Sequence, residues 1–137
     1  METFLDAPVR TDTFDSFPYT RPDLETVTAQ FDQLLRDFEQ AKALDAQLHC
    51  LKQLIRVREE FYTMYNLCLI RHTVDTRDAF YEAENNYFDE NLPAYEALID
   101  RLYRALLQSQ YRPELEKMYG AQLFVLADLA LKTFKPA

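Results

Sequence analysis

Glycine is almost absent from this sequence, since Gly120 is the only one in 137 residues. Tight hairpin turns usually need a residue with positive φ, and glycine adopts that conformation at the lowest cost. A chain with so little glycine has few ways to build a sheet from short strands, so long helices are expected. Of the six prolines, only Pro93 falls inside a predicted helix. The sequence therefore predicts an all-α fold.

Three long segments carry apolar residues at alternating spacings of three and four, which is the period of an amphipathic helix. The first covers residues 24–41, with Asp23 placed to cap its start. The second begins near Asp45, another plausible cap, and is apolar nearly all round over residues 61–70. We therefore expect the second helix to be the most buried of a bundle of three long antiparallel helices.

The third helix is predicted to begin within residues 73–76, where β-branched residues and two good caps interrupt the pattern. Its apolar stripe keeps the same phase across Pro93, so the proline is expected to kink this helix without ending it. A short helix should start at residues 112–114 and close at Gly120. The last helix, residues 121–133, is apolar in nearly every direction, so it is either buried or made to meet a partner.

Residues 1–21 carry Pro8 and Pro18 without a helical period, so they are predicted to form an extended leader. Phe14, Phe17 and Tyr19 give this leader side chains with which to dock. The helical domain is predicted to cover residues 22–137, a usual size for one domain.

The net charge of −8 argues against nucleic-acid binding, which requires a basic face, and against an anionic membrane surface. No stretch approaches the roughly 20 apolar residues of a membrane span, and residues 1–6 resemble no secretory signal. These observations predict a cytoplasmic protein that binds neither nucleic acid nor membrane. Cys50 and Cys68 are expected to be buried free thiols, because 18 residues of helix would separate them by about 27 Å.

The sequence contains no recognisable catalytic, cofactor or metal motif. Neither His49 nor His72 belongs to a His-Glu-x-x-His or a Glu-x-x-His pair, so no helical zinc or di-iron site is predicted. The scarcity of glycine also excludes a phosphate-binding loop. We therefore predict no catalytic residue, no cofactor and no metal ligand in this chain.

A polar cluster is expected near the junction of the second and third helices, and it has two interpretations. Arg58 and His72 share the stripe of the core positions, and further charged residues follow closely in sequence. A buried ion-pair network that ties two helices together is favoured over a substrate-contacting patch. Its predicted members are Arg58, Arg71, His72, Asp75 and Asp78.

The tyrosines and an acidic run are each interpreted as structural features rather than as binding sites. The tyrosines at helical spacing are expected in the core, with hydroxyls that reach a partner, rather than along a peptide groove. The acidic run is expected to be a solvated face, and it comprises Glu82, Glu84, Asp89 and Glu90.

Several segments of the sequence resemble the N-terminal region of the oligoendopeptidase F family. The longest is residues 71–93, RHTVDTRDAFYEAENNYFDENLP, and shorter ones are residues 19–23 (YTRPD), 120–124 (GAQLF) and 131–134 (LKTF). The resemblance implies a mostly helical fold similar to thimet oligopeptidase, with a deep channel between two halves. It also implies cleavage of short peptides by one zinc ion, held by His-Glu-x-x-His and a later glutamate. No position of this chain matches those residues, so no catalytic role is carried over.

The first functional hypothesis is therefore a non-catalytic N-terminal wall of the channel in such a peptidase. Its partner would be a downstream catalytic domain or subunit, or a second copy that associates through the last helix, with short peptides as ligands. The alternative is a standalone helical module that binds a protein or peptide. A third hypothesis, an independent hydrolase that uses the region of His72, would require peptide cleavage that survives chelation.

Overall fold

The computed structural model describes residues 16–133 as five α-helices joined by short connections. They are α1 (Leu24–Gln40), α2 (Leu44–Val74), α3 (Ala79–Leu107), α4 (Arg112–Tyr119) and α5 (Ala121–Thr133). The predicted all-α fold is confirmed. Phe14, most of the predicted leader and Phe134 lie outside the described residues. Within the described range, no helix is both long and apolar enough to cross a membrane.

The three long helices run up, down and up, as side-chain bonds at their two ends show. Gln47, in the first turns of α2, donates to the carbonyl of Phe38 in the last turn of α1 at 3.0 Å. The Cys68 thiol approaches the Tyr81 carbonyl at the other end of α2, at 4.0 Å. Consecutive long helices are therefore antiparallel, as expected for helices joined by short loops.

The boundaries of two helices differ from the sequence predictions. The N-cap of α2 is Ala43, which offers no side-chain oxygen, and Asp45 lies inside the first turn instead. An acidic residue there still favours the positive end of the helix dipole. Helix α2 also continues through Val74, and α3 begins only at Ala79. The predicted start of the third helix within residues 73–76 is therefore wrong.

Pro93 lies inside α3 and does not end it, as predicted. The side chain is exposed, so the carbonyl that loses its helical hydrogen bond can turn towards water. Apolar residues on both sides of the proline remain buried on the same face of the helix. They include Phe88 before it and Tyr95, Leu98 and Leu102 after it.

The interior is divided between a main core and an aromatic cluster. The main core joins α1, α2 and α3 with one buried residue each from α4 and α5, Leu115 and Phe124. The aromatic cluster lies between α2 and α3, where the rings of Phe61 and Tyr95 stack with centroids 4.1 Å apart. Both cysteines are buried and free, and burial raises the pKa of the Cys68 thiol to about 11. Such a thiol stays protonated and inert near neutral pH.

Candidate functional site

The five residues of the predicted ion-pair network lie in separate settings. The guanidinium of Arg71 donates to the Tyr81 hydroxyl at 2.7 Å and to the Phe17 carbonyl at 2.8 Å. Arg58 donates to the hydroxyl of Tyr103 at 3.3 Å and pairs with Glu59, its neighbour in sequence. Arg71 therefore ties Phe17 to α2 and α3, whereas Arg58 links α2 to α3 roughly three and a half turns earlier on α2.

The remaining members of that predicted network act at helix ends. His72 lies in the last turn of α2, where a basic residue complements the helix dipole. Asp75 accepts from the backbone N–H of Arg77 in the connection between the helices. Asp78 is the N-cap of α3, and its carboxylate accepts from Phe80 N at 2.9 Å and Tyr81 N at 3.4 Å.

Replacing Asp78 by alanine should destabilise the chain by about 1 kcal/mol, because two backbone N–H groups lose their acceptor. Asp75→Ala should cost less, since the Asp75 carboxylate accepts from one turn N–H and otherwise pairs only with the exposed Arg77. At the C-cap of α2, Asp75 acts through its backbone N–H, which alanine retains. Urea denaturation of both variants at pH 7 measures the difference. Equal losses would show that the cap contributes nothing beyond an ordinary turn bond.

A buried carboxylate that the sequence interpretation placed on a solvated face holds residues 19–21 against α3. Glu84 is only 5% exposed, so its assignment to a solvated acidic face is wrong. Arg21 Nη2 lies 2.5 Å from Glu84 Oε2, and Tyr19 donates its hydroxyl to Glu84 Oε1 at 2.8 Å. The Arg21 guanidinium holds the pKa of Glu84 below its usual value against the opposing effect of burial. We call Tyr19, Arg21 and Glu84 the clasp.

The same segment is fixed a second time through the backbone carbonyl of Pro22. The Tyr87 hydroxyl donates to this carbonyl at 2.6 Å, and the Tyr95 hydroxyl lies 3.0 Å from it. Burial and the neighbouring Tyr87 hydroxyl raise the pKa of Tyr95, so its proton is retained. The prediction that tyrosines occupy the core with hydroxyls reaching a partner is confirmed at these two positions. No sequence signal marks Pro22 as their shared acceptor.

A concave surface with polar and apolar lining lies between α2, α3 and α5. This cleft has a volume of about 210 Å³. Its lining combines two acidic residues of α3 and two tyrosines with apolar residues of α3 and α5. We call it the acidic cleft, and its lining comprises Tyr62, Glu96, Ile99, Asp100, Tyr103, Leu126 and Ala130.

No side chain in residues 16–133 forms an ion pair or hydrogen bond with either carboxylate of the acidic cleft. Burial raises the pKa of Asp100, although the charge of Arg104 opposes this effect. Glu96 and Asp100 stand four residues apart on α3, where like charges repel. Sequence reasoning missed both, because only the packing of α5 places them beside an apolar wall.

Helix α5 packs one side on the domain and leaves another side open. Phe124 and Ala127 are buried, and α5 contacts α3 and α4. Val125, Leu126 and Leu129 are each 50–56% exposed. We call these three residues the open face, and it continues directly into the acidic cleft through Leu126.

The described residues provide no set of ligands for a metal ion. Across residues 16–133, no three His, Cys, Asp or Glu side chains are grouped closely enough to hold one. His49 is exposed in the first turns of α2, and His72 lies at the opposite end of the same helix. The zinc ion implied by the family resemblance therefore does not fit the residues of this domain.

Comparisons with known proteins agree on one family. Residues 14–134 match the family model described as the peptidase M3 N-terminal domain. A structure of PZ peptidase A with an inhibitor aligns with a TM-score of 0.86 at 42% sequence identity, covering 90% of this chain. A chain assigned as an oligoendopeptidase F from Bacillus anthracis str. Ames aligns at 0.85 and 41% identity, covering 88%.

These structures are much longer than the sequence described here, which spans 22% of the length of each. A further structure assigned as oligoendopeptidase F aligns at a TM-score of 0.86 and 43% identity, also over 22% of its length. No curated protein matches the chain at a significant level. The family match and the close structural likeness establish that this chain belongs to the N-terminal domains of the M3 peptidases.

Proposed function

We propose that this domain is a non-catalytic wall of the peptide channel in an oligoendopeptidase F-like zinc metallopeptidase. The open face of α5 is the observation that carries the proposal. Its three large apolar residues are each about half exposed, whereas Phe124 and Ala127 of the same helix are buried. Such a surface is typical of a contact with more protein. The zinc ion and the groups that activate water would lie outside these 137 residues.

The role of such a wall follows from its construction. A bundle with two buried clusters and a doubly fixed N-terminal segment is a rigid support. A rigid wall of this kind would limit access to the channel to short or flexible peptides. A cytoplasmic location belongs to the same proposal, as does a downstream catalytic domain or subunit as the partner.

The proposal is tested by exchanging domains between this chain and a relative. Residues 14–134 replace the matching segment of the Bacillus anthracis oligoendopeptidase F, and cleavage of a fluorogenic peptide is measured. We expect the chimera to cleave the peptide, and the relative lacking the segment altogether to lose most of its activity. A truncated relative that cleaves as well as the intact enzyme would contradict a role for this domain in the channel.

The isolated 137-residue chain provides the second arm of the test. It should bind no stoichiometric zinc and cleave no peptide, because it contains no His-Glu-x-x-His motif. Metal analysis and the same fluorogenic assay measure both expectations. Cleavage that survives chelation and disappears in His72→Ala would instead support an independent hydrolase.

A further inference from the structure

The lining of the acidic cleft is divided in a way that matches the chemistry of a long basic side chain. Ile99, Leu126 and Ala130 provide an apolar wall, whereas Glu96 and Asp100 provide two carboxylates. Lysine and arginine place an apolar stem against such a wall while the charged head reaches a polar group. The volume of about 210 Å³ is enough for one such side chain.

Two further features of the cleft favour a cation over a neutral group. Tyr62 and Tyr103 line the cleft together with the carboxylates, whose charges act on Tyr62, and aromatic faces attract cations. Arg58 and Arg104, whose charges act on Tyr62 and Asp100, form no ion pair with the carboxylates of the cleft. Arg58 is engaged by Glu59 and the Tyr103 hydroxyl, and Arg104 influences Asp100 only through space. The cleft thus presents negative charge that the described part of the chain does not neutralise.

The open face of α5 adds an apolar border to this charge. Val125 and Leu129 flank Leu126, and Leu126 is both half exposed and part of the cleft wall. An occupant complementary to both features carries a basic residue between apolar ones. In the solved relatives the matched domain is 22% of the chain, so most of each polypeptide is available to provide such a segment.

We propose that the acidic cleft receives a lysine or arginine from a segment of the catalytic portion of the peptidase, whose apolar residues cover the open face. This inference rests on the proposed function, because it names the partner of the same wall. The contact would fix the orientation of the wall through charge complementarity, while the covered apolar area contributes the affinity.

The proposal predicts that one pair of substitutions changes stability in opposite directions in two settings. In the isolated chain, Glu96→Gln with Asp100→Asn removes a repulsion and a desolvated charge, so the Tm should rise by about 2 °C. In the chimera with the Bacillus anthracis enzyme, the same pair removes the partner of a buried cation. The temperature at which half of the peptidase activity is lost should then fall by about 5 °C.

Glu60→Gln with Glu90→Gln is the matched control, because it removes the same charge from two exposed positions of α2 and α3. It should leave both temperatures within about 1 °C. If the cleft pair raises the temperature in the chimera as it does in the isolated chain, the cleft stays open to water and the inference is wrong. A chimera without activity when it carries the unsubstituted domain would instead contradict the proposed function.

Discussion

Arg21→Ala should destabilise the folded chain by about 2 kcal/mol at pH 7, one of the largest effects expected from any side chain that is half exposed. Stability is lost because Glu84, the partner of Arg21, would keep its charge without a nearby cation while its side chain is only 6% exposed. Removing one member of a fully buried pair costs roughly 3–5 kcal/mol. We expect less here because the Arg21 side chain is 48% exposed and water already screens it.

The pH dependence of this variant should distinguish a lost charge partner from a lost packing contact. In the unmodified chain the folded-state pKa of Glu84 lies below its ordinary value of 4.5. The pairing therefore stabilises the fold above about pH 4.5 and is lost as pH falls through the folded-state pKa. Without Arg21, burial becomes the largest effect on the pKa of Glu84 and raises it, and only the smaller effect of the Tyr19 hydrogen bond opposes this rise. Protonation of Glu84 should then remove the unpaired buried charge from the variant. The difference in unfolding free energy between Arg21→Ala and the unmodified chain should therefore shrink between pH 7 and pH 4.

Arg101→Ala is the control for this prediction, since it removes the same side chain at almost the same exposure. Arg101 is 44% exposed and pairs at 2.7 Å with Asp32, which is itself 43% exposed. An exposed pair contributes about 0–1 kcal/mol. Urea denaturation of both variants at pH 7 and pH 4 provides the comparison. Equal losses with no dependence on pH would show that burial of Glu84 is unimportant to the clasp.

The clasp could not be predicted from the sequence, although the helices could. The helices were predictable because apolar periodicity over 24–41, 44–69 and 81–106 is a local property, repeated many times along each segment. The burial of Glu84 is not local, because it depends on Arg21, which lies 63 positions away. Because Glu84 lies among Glu82, Asp89 and Glu90, the sequence around it is the same whether its side chain faces water or a distant guanidinium.

The error at the start of α3 has a similar cause. Residues 73–76 combine β-branched side chains with two potential caps, and both features favour a break. Thr73 instead donates its hydroxyl to the Leu69 carbonyl at 2.7 Å, a bond that lets it remain in the helix. Asp78 supplies the cap that the pattern assigned to an earlier residue. Choosing among adjacent caps requires knowing where α3 must pack, which tertiary contacts decide.

In the last helix, the apolar sequence pattern does not determine which side chains are buried and which are exposed. Its all-round apolar composition predicted a helix that is either buried or made to meet a partner, but left open which residues face inward. The structure assigns Phe124 to the core, at 1% exposure, and Leu126 to the open face, at 56%. Residues two positions apart on one short helix therefore have opposite roles, and this contrast can be measured.

Phe124→Ala should destabilise the chain by about 3–4 kcal/mol, because it removes a fully buried ring and leaves a cavity. The ring also lies under the guanidinium of Arg112, at 5.4 Å from its centroid, so the link between α4 and α5 weakens as well. Only Phe124 and Ala127 of α5 are buried in the described range. We therefore expect α5 to lose amide-exchange protection before the three long helices do.

Leu126→Ala is the matched control on the same helix, and in the isolated chain it should change stability by less than about 0.5 kcal/mol. Alanine is a good helix former, so the substitution removes apolar surface without disturbing α5. In the chimera the same substitution should destabilise the enzyme, because the open face would be covered there. A Leu126→Ala variant that is as damaging as Phe124→Ala in the isolated chain would mean that the open face is already packed. The domain would then have no unsatisfied surface to offer a catalytic partner.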